Sequence, residues 1–130
     1  MFRLADVTFV DRQDNAQARD ALESAAQKLH DGISLVIAPE GTRSATPALG
    51  PFKKGAFRLA MAGGVPVVPI VFRNANDVWP LGTQFMRPGT VDVVVHPPIP
   101  TDGWRDDTLD THIAEVRSLY LETLADWPVR

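Results

Sequence analysis

Residues 33–44 read Ile-Ser-Leu-Val-Ile-Ala-Pro-Glu-Gly-Thr-Arg-Ser, an apolar run that ends abruptly in polar residues. The apolar part, residues 33–37, has the length and the β-branched content of a buried strand. In α/β folds, ligands bind beyond the carboxyl ends of such strands. At that edge Gly41 can take a positive φ or let backbone approach a ligand, and the planar donor fork of Arg43 suits phosphate or carboxylate. The stretch therefore predicts an α/β fold with a ligand site at residues 38–44.

The chain that follows this turn is locally basic. Between Gly41 and Asn76 there is no Asp or Glu, and the cationic side chains there are Arg43, Lys53, Lys54, Arg58 and Arg73. The whole protein has a formal net charge of −3, so this basic character belongs to the segment alone. Two interpretations stay open: a solvated face without acids, or an anion site with phosphate as the favoured anion.

Length and composition restrict the class of protein. The 130 residues predict a single domain, and hydrophobic and charged contents of 45% and 22% are typical of a globular fold. The absence of Cys excludes disulfides, Cys-ligated zinc and thiol nucleophiles. No apolar run approaches the roughly 20 residues of a membrane helix, and no signal peptide is expected. The acidic net charge argues weakly against a nucleic-acid partner.

The predicted elements follow in the order β-α-β-α-β-β-α. The strands are expected at residues 7–10, 33–37, 65–72 and 90–96, and the helices at 15–30, at 55–62 and after Thr108. Short connections favour right-handed crossovers, and therefore a mostly parallel sheet with flanking helices. Pro69 removes a ladder donor from the third strand, which predicts an edge, a bulge or backbone shaped for a ligand. The long connection of residues 74–87 holds Trp79 and Phe85. A lid or a hydrophobic lip is one alternative for it, and the favoured one is that Trp79 packs onto the core.

Two further cations are candidates for the ligand site. Arg12 follows the first predicted strand, as Arg43 follows the second, although an isolated Arg in a turn is more often a surface residue. Lys53 or Lys54 opens the predicted helix, and helix N-termini bind anions through free N–H groups, so Lys54 is a candidate to join Arg43 on one anion. Residues 50–55 have the glycine spacing of a Walker A loop, but Ala and Phe follow instead of Lys and Ser or Thr, which excludes a nucleotide loop.

Four blocks of this sequence resemble the glycerophospholipid acyltransferases in their order along the chain. They are Val-Thr-Phe-Val-Asp-Arg (7–12), Ala-Pro-Glu-Gly-Thr-Arg-Ser (38–44), Phe-Lys-Lys-Gly-Ala-Phe (52–57) and Val-Pro-Val-Val-Pro-Ile (65–70). The subgroup that they resemble most is that of the 1-acylglycerol-3-phosphate acyltransferases. The resemblance implies transfer of a fatty acyl group from acyl-CoA or acyl-carrier protein to the hydroxyl of lysophosphatidate or glycerol 3-phosphate. It also implies a partial acyltransferase-like fold.

Seven positions are predicted to bind substrate: Arg12, Glu40, Gly41, Thr42, Arg43, Lys54 and Pro69. The resemblance implies that Arg12 and Arg43 hold the acceptor phosphate. It implies that Glu40 and Gly41 shape the acceptor site and that Pro69 lies near the path of the acyl donor. The role of Lys54 is inferred from its position only. No metal and no cofactor is expected, because the acyl thioester is a co-substrate.

The catalytic block of the family is not found in these 130 residues. In the family a His deprotonates the acceptor hydroxyl and an Asp five positions later orients it. The positions five after His30, His96 and His112 hold Leu35, Thr101 and Arg117. The chain is therefore expected to be the C-terminal portion of an acyltransferase domain, inactive alone, with an uncovered apolar face, marginal stability or self-association as consequences.

The expected location is the cytoplasm or the cytoplasmic face of a membrane. Two other functions stay open. One is a non-catalytic module that binds a phosphorylated lipid or another anion. The other is a hydrolase with Ser44 as nucleophile, which is disfavoured because no Gly-x-Ser-x-Gly elbow surrounds that residue.

Overall fold

The computed structural model describes residues 15–41 and 48–125, with side chains from residue 20 onward. The elements in these ranges are α1 (Asn15–His30), α2 (Lys54–Gly63), β1 (Ile70–Phe72), α3 (Ala75–Val78), β2 (Val93–Val95) and α4 (Leu109–Ala125). The chain divides into two compact units, Met1–Val36 and Ile37–Arg130. The prediction of one domain over residues 1–130 stays a prediction.

The first unit contains α1, and the predicted helix over residues 15–30 is confirmed. Gly32 takes φ 81°, and its N–H donates to Leu29 O at 3.0 Å. The N–H of Ile33 donates to Lys28 O at 2.9 Å. These two bonds form a Schellman ending, in which glycine accepts the left-handed conformation without a steric penalty. Gly32 therefore ends α1 through a defined hydrogen-bond pattern.

The strand predicted at residues 33–37 is absent, because residues 33–38 form neither helix nor strand. Val36 is 94% exposed, so this run is also not buried as its composition suggested. A strand exists only through hydrogen bonds to a neighbour, and the first predicted strand, residues 7–10, lies outside the described residues. Within the described ranges, the mostly parallel sheet is not confirmed.

The sheet in the second unit is an antiparallel pair of β1 and β2. Ile70 faces Val95 and Phe72 faces Val93, and an isolated antiparallel bridge joins Val67 to Ile99. Two residues separate the bridge from β1, whereas three separate it from β2, so the second strand carries a one-residue bulge. Pro69 lies opposite this bulge, in the strand that has no extra residue, and the two-stranded sheet leaves that strand at an edge.

Pro69 fits this ladder because its missing N–H is not needed there. Its carbonyl accepts the N–H of His96 at 2.9 Å, and its side chain is fully buried. The third and fourth predicted strands therefore pair with each other, and the regular parts of both are shorter than predicted. In the third, Pro66 and Pro69 interrupt the run.

The core of the second unit lies between α2, α4 and the segment before α2. Its buried members are Phe52, Phe57, Leu109, Ile113 and Val116. The ring of Phe52 lies edge-on to Tyr120 with centroids 5.1 Å apart. The helices predicted at 55–62 and after Thr108 are confirmed as α2, which contributes Phe57, and α4, which contributes the three aliphatic residues.

Tyr120, the one tyrosine of the sequence, gives a testable consequence of this packing. Burial disfavours the phenolate and raises the pKa of Tyr120 above its ordinary value of 10.0, although a backbone hydrogen bond near Ile70 opposes the shift. Because the unfolded chain then loses this proton at lower pH than the folded chain, stability falls as pH rises above about 10. We expect the phenolate absorbance at 295 nm to appear at higher pH in the folded chain than in concentrated urea. Coincident titration curves would contradict this burial.

One face of the two-stranded sheet is apolar and exposed. The cross-strand pairs Ile70–Val95 and Phe72–Val93 lie on it, and Phe72 and Val95 are 58% and 63% exposed. Val71, which points to the opposite face, is buried. The expectation of an uncovered apolar face is therefore confirmed for the described residues.

The expectation that Trp79 packs onto the core is wrong. Its side chain is 44% exposed, and its indole N–H donates to Thr83 O at 3.1 Å. This bond holds the ring against its own loop, in which Phe85 is also exposed.

In the parts of the chain that the structure describes, no helix has the length and apolar content required to cross a membrane.

Candidate functional site

The site begins at the turn of residues 38–41. The N–H of Gly41 donates to Ala38 O at 3.0 Å, which closes a four-residue β-turn. Gly41 takes φ 76°, a conformation in which a side chain would be strained. The structure therefore explains the glycine of the motif by a backbone requirement of the turn.

Two hydrogen bonds fix this turn to the segment that leads into α2. The Glu40 carboxylate accepts the N–H of Gly50 through Oε2 at 2.8 Å. Pro39 O accepts the N–H of Lys53, the residue before α2, at 2.7 Å. A Cβ at Gly50 would lie 3.0 Å from Glu40 Oε2, so a larger residue at this position would push the carboxylate a few tenths of an ångström away. The Glu of the motif therefore holds backbone in place.

Arg117, on α4, holds the same segment from the other side. Its Nη2 donates to Leu49 O at 2.9 Å and its Nε donates to Gly50 O at 3.1 Å. Sequence analysis missed this residue, because its partners are backbone carbonyls more than sixty positions away and no motif contains it. The one available signal was its place directly after Val116 in the apolar stripe of α4, which puts it beside the core.

The structure brings only some of the predicted site residues together. Glu40 and Gly41 share the turn, and Lys54 is the first residue of α2, next to the residue that bonds the turn. Pro69 is buried before β1 and bonds His96. Arg12, Thr42 and Arg43, together with the hydrolase candidate Ser44, lie outside the described residues. The binding roles of all seven predicted residues stay predictions.

The basic segment gains acidic partners in the fold. Its described ion pairs are Lys54–Asp110 at 2.8 Å, Arg58–Asp106 at 3.0 Å and Arg73–Asp92 at 3.3 Å. All three acids come from the part of the sequence after residue 76, so the local positive charge is partly neutralised. The first two pairs are exposed and each stabilises the fold by about 1 kcal/mol or less.

The histidines of the second unit bind neighbouring side chains. His96 Nε2 lies 2.8 Å from Thr123 Oγ1, and that hydroxyl donates to Leu119 O at 2.7 Å. Since the hydroxyl hydrogen is used, His96 donates from Nε2. His112 stacks on Trp104 with ring centroids 4.5 Å apart. Over the described ranges no group of three or more His, Asp or Glu could hold a metal ion.

The family model described as Acyltransferase matches residues 1–73, which is more than half of the chain and includes the turn. The chain belongs to the acyltransferase family. The matched region ends before β2, α4 and Arg117, so the support from α4 lies outside it.

Individual relatives extend the similarity to most of the chain. The 1-acyl-sn-glycerol-3-phosphate acyltransferase of Limnanthes alba is 34% identical over 125 residues, which are 95% of this chain and 44% of that protein. The alpha form from Homo sapiens is 36% identical over 115 residues, or 88% of this chain and 41% of that protein.

The same similarity appears in three dimensions. The crystal structure of the 1-acyl-sn-glycerophosphate acyltransferase PlsC from Thermotoga maritima matches with a TM-score of 0.77 and 28% identity, over 86% of this chain and 47% of that one. The fold is therefore of the PlsC acyltransferase type. The chain spans less than half of the length of these relatives.

Proposed function

We propose that this chain is the acceptor-binding part of a 1-acylglycerol-3-phosphate acyltransferase of phospholipid biosynthesis. The substrates are lysophosphatidate or glycerol 3-phosphate and an acyl thioester, and the product from lysophosphatidate is phosphatidic acid. The observation that carries the proposal is the turn of residues 38–41, which lies inside the family match and is fixed by the bond from Gly50 N–H to Glu40. A backbone held this firmly suits a site that must present charged groups to a ligand with fixed geometry.

In this proposal the residues divide by task. Arg12 and Arg43 hold the acceptor phosphate, because guanidinium forks bind phosphate oxygens in pairs. Glu40, Gly41 and Thr42 shape the acceptor site, and the structure supports a positioning task for Glu40, since its carboxylate bonds backbone. Lys54 is an auxiliary ligand that would have to exchange Asp110 for phosphate. Pro69 lies near the path of the acyl donor.

The reaction needs a base that the 130 residues do not supply in the spacing of the family. A His removes the proton of the acceptor hydroxyl while the hydroxyl oxygen attacks the thioester carbonyl. The C–O bond forms, the C–S bond breaks, and the thiolate leaves and takes up the proton. We propose that a His-x-x-x-x-Asp segment outside these residues provides the base.

We also propose that the complete domain has the mostly parallel sheet and acts in the cytoplasm or at the cytoplasmic face of a membrane, without a metal or cofactor.

A second candidate function is a non-catalytic module that binds a phosphorylated lipid or another anion. The observation that favours it is the lack, within these 130 residues, of any His followed five positions later by Asp. The two functions share the phosphate site and differ in whether acyl transfer ever follows binding.

The phosphate site can be tested by titrating the 130-residue chain with glycerol 3-phosphate in a calorimeter. We expect Arg43→Ala to raise Kd about 10- to 100-fold, because hydrogen bonds to charged groups contribute about 1.5–3 kcal/mol each. Arg105→Ala is the matched control, since Arg105 is exposed and pairs with Asp107 two positions away. No binding by the unchanged chain, or equal Kd values for the two variants, would contradict the proposed acceptor site.

A further inference from the structure

The peptide group between Leu49 and Gly50 is held at both ends by charged side chains. Arg117 Nη2 donates to its carbonyl oxygen at 2.9 Å, and its N–H donates to Glu40 Oε2 at 2.8 Å. Arg117 Nε also bonds the next carbonyl, Gly50 O, at 3.1 Å. This planar peptide group therefore lies between the guanidinium of Arg117 on α4 and the carboxylate of Glu40 in the turn of residues 38–41.

We propose that Arg117 is a positioning residue for the acceptor site, acting on Glu40 through the Leu49–Gly50 peptide. This inference rests on the proposed function. Because a peptide group is planar, fixing its oxygen also fixes the direction of its N–H, and with it the place where the Glu40 carboxylate must lie. The guanidinium fork sets two successive carbonyls at once, which a single-point donor cannot do with the same geometry.

The charges reinforce this arrangement. The peptide dipole has its negative oxygen toward the Arg117 cation and its positive N–H toward the Glu40 carboxylate, so both interactions are favourable. A donor on the oxygen also polarises the N–H and strengthens its bond to Glu40. All three groups are half-buried, which keeps these bonds stronger than they would be in water.

Arg117 and Gly50 are both attached to the hydrophobic core of the second unit. Arg117 directly follows Val116, which is 3% exposed, and Phe52, two residues after Gly50, is in the same core cluster. The carboxylate of Glu40 is therefore tied to the hydrophobic core through Arg117 on one side and through the chain leading to Phe52 on the other. Loss of Arg117 should release the Leu49–Gly50 peptide while the core stays packed.

The test measures two quantities on the 130-residue chain. They are Kd for glycerol 3-phosphate and the hydrogen-exchange rate of the Gly50 amide, in Arg117→Gln, Arg117→Lys and the matched control Arg58→Gln, which removes an exposed pair between α2 and α4. We expect Arg117→Gln to raise Kd about tenfold, within the range of couplings between linked groups, and to speed Gly50 exchange. Compared with Arg117→Gln, Arg117→Lys should bind glycerol 3-phosphate more tightly and exchange the Gly50 amide more slowly, because an ammonium can bond one of the two carbonyls. The control should match the unchanged chain.

Gly50→Ala tests whether the contact between the Leu49–Gly50 peptide and Glu40 affects binding, because Arg117 is unchanged in this variant. Its Cβ would lie 3.0 Å from Glu40 Oε2, so the carboxylate must shift, and we expect weaker glycerol 3-phosphate binding with little change in melting temperature. If Arg117→Gln leaves both Kd and Gly50 exchange unchanged, or if Gly50→Ala binds as well as the unchanged chain, the positioning role is wrong and the proposed function stands. If the unchanged chain does not bind, the proposed acceptor site and the positioning role both fail.

Discussion

Joining these 130 residues to the His-x-x-x-x-Asp segment of a 1-acylglycerol-3-phosphate acyltransferase should produce a protein that acylates lysophosphatidate, whereas the 130 residues alone should not. The reason is chemical. Phosphate binding places the acceptor hydroxyl, but its proton must be removed during attack on the thioester, and none of the three histidines here has an Asp five positions later. The measurement is the formation of phosphatidic acid from lysophosphatidate and acyl-CoA or acyl-carrier protein.

The control variants separate the base from the phosphate site. Replacing the His of the added segment by Ala should lower the rate about 10²- to 10⁴-fold, the usual contribution of a general base. Arg43→Ala should act mainly on the KM for the acceptor, since it removes binding that exists before the transition state. A well-folded joined protein that binds glycerol 3-phosphate through Arg43 and never transfers an acyl group would favour the non-catalytic module.

Helix ends were predictable from this sequence because local chemistry determines them. Gly32 and Gly64 each follow a helix and take φ of 81° and 60°, and both endings are closed by the hydrogen bonds that such glycines permit. The buried face of α4 is also predictable from the sequence, because helical spacing alone puts Leu109, Ile113 and Val116 on one face.

Features that depend on distant partners were not predictable in the same way. The run at residues 33–37 has strand composition, but a strand also needs a neighbour to bond, and sequence composition does not supply one. Pairing of the basic segment with Asp106 and Asp110 depends on how α2 packs against α4. Arg117 bonds backbone carbonyls, which carry no side-chain signature at all.

The turn motif itself lies between these cases. Its glycine, Gly41, was readable because a positive φ has a local cause. Glu40 was predicted to shape the acceptor site. In the structure its carboxylate accepts a backbone N–H ten positions away, which is a local reason for an acid at this position. The acid of this motif therefore acts on the backbone of a neighbouring segment in the structure.

Phe52→Ala should lower the free energy of unfolding by about 3–5 kcal/mol, enough to remove much of the stability of a domain of this size. Phe52 is 9% exposed, stacks on Phe57 and meets Tyr120 edge-on, so the truncation leaves a cavity between α2 and α4. Phe85→Ala is the matched control, since Phe85 is 83% exposed and its loss should change stability by less than about 0.5 kcal/mol. Urea unfolding followed by circular dichroism measures both, and equal midpoints would show that Phe52 does not anchor this core. Because Phe52 joins the core to the Leu49–Gly50 peptide, we also expect the variant to bind glycerol 3-phosphate more weakly even where it remains folded.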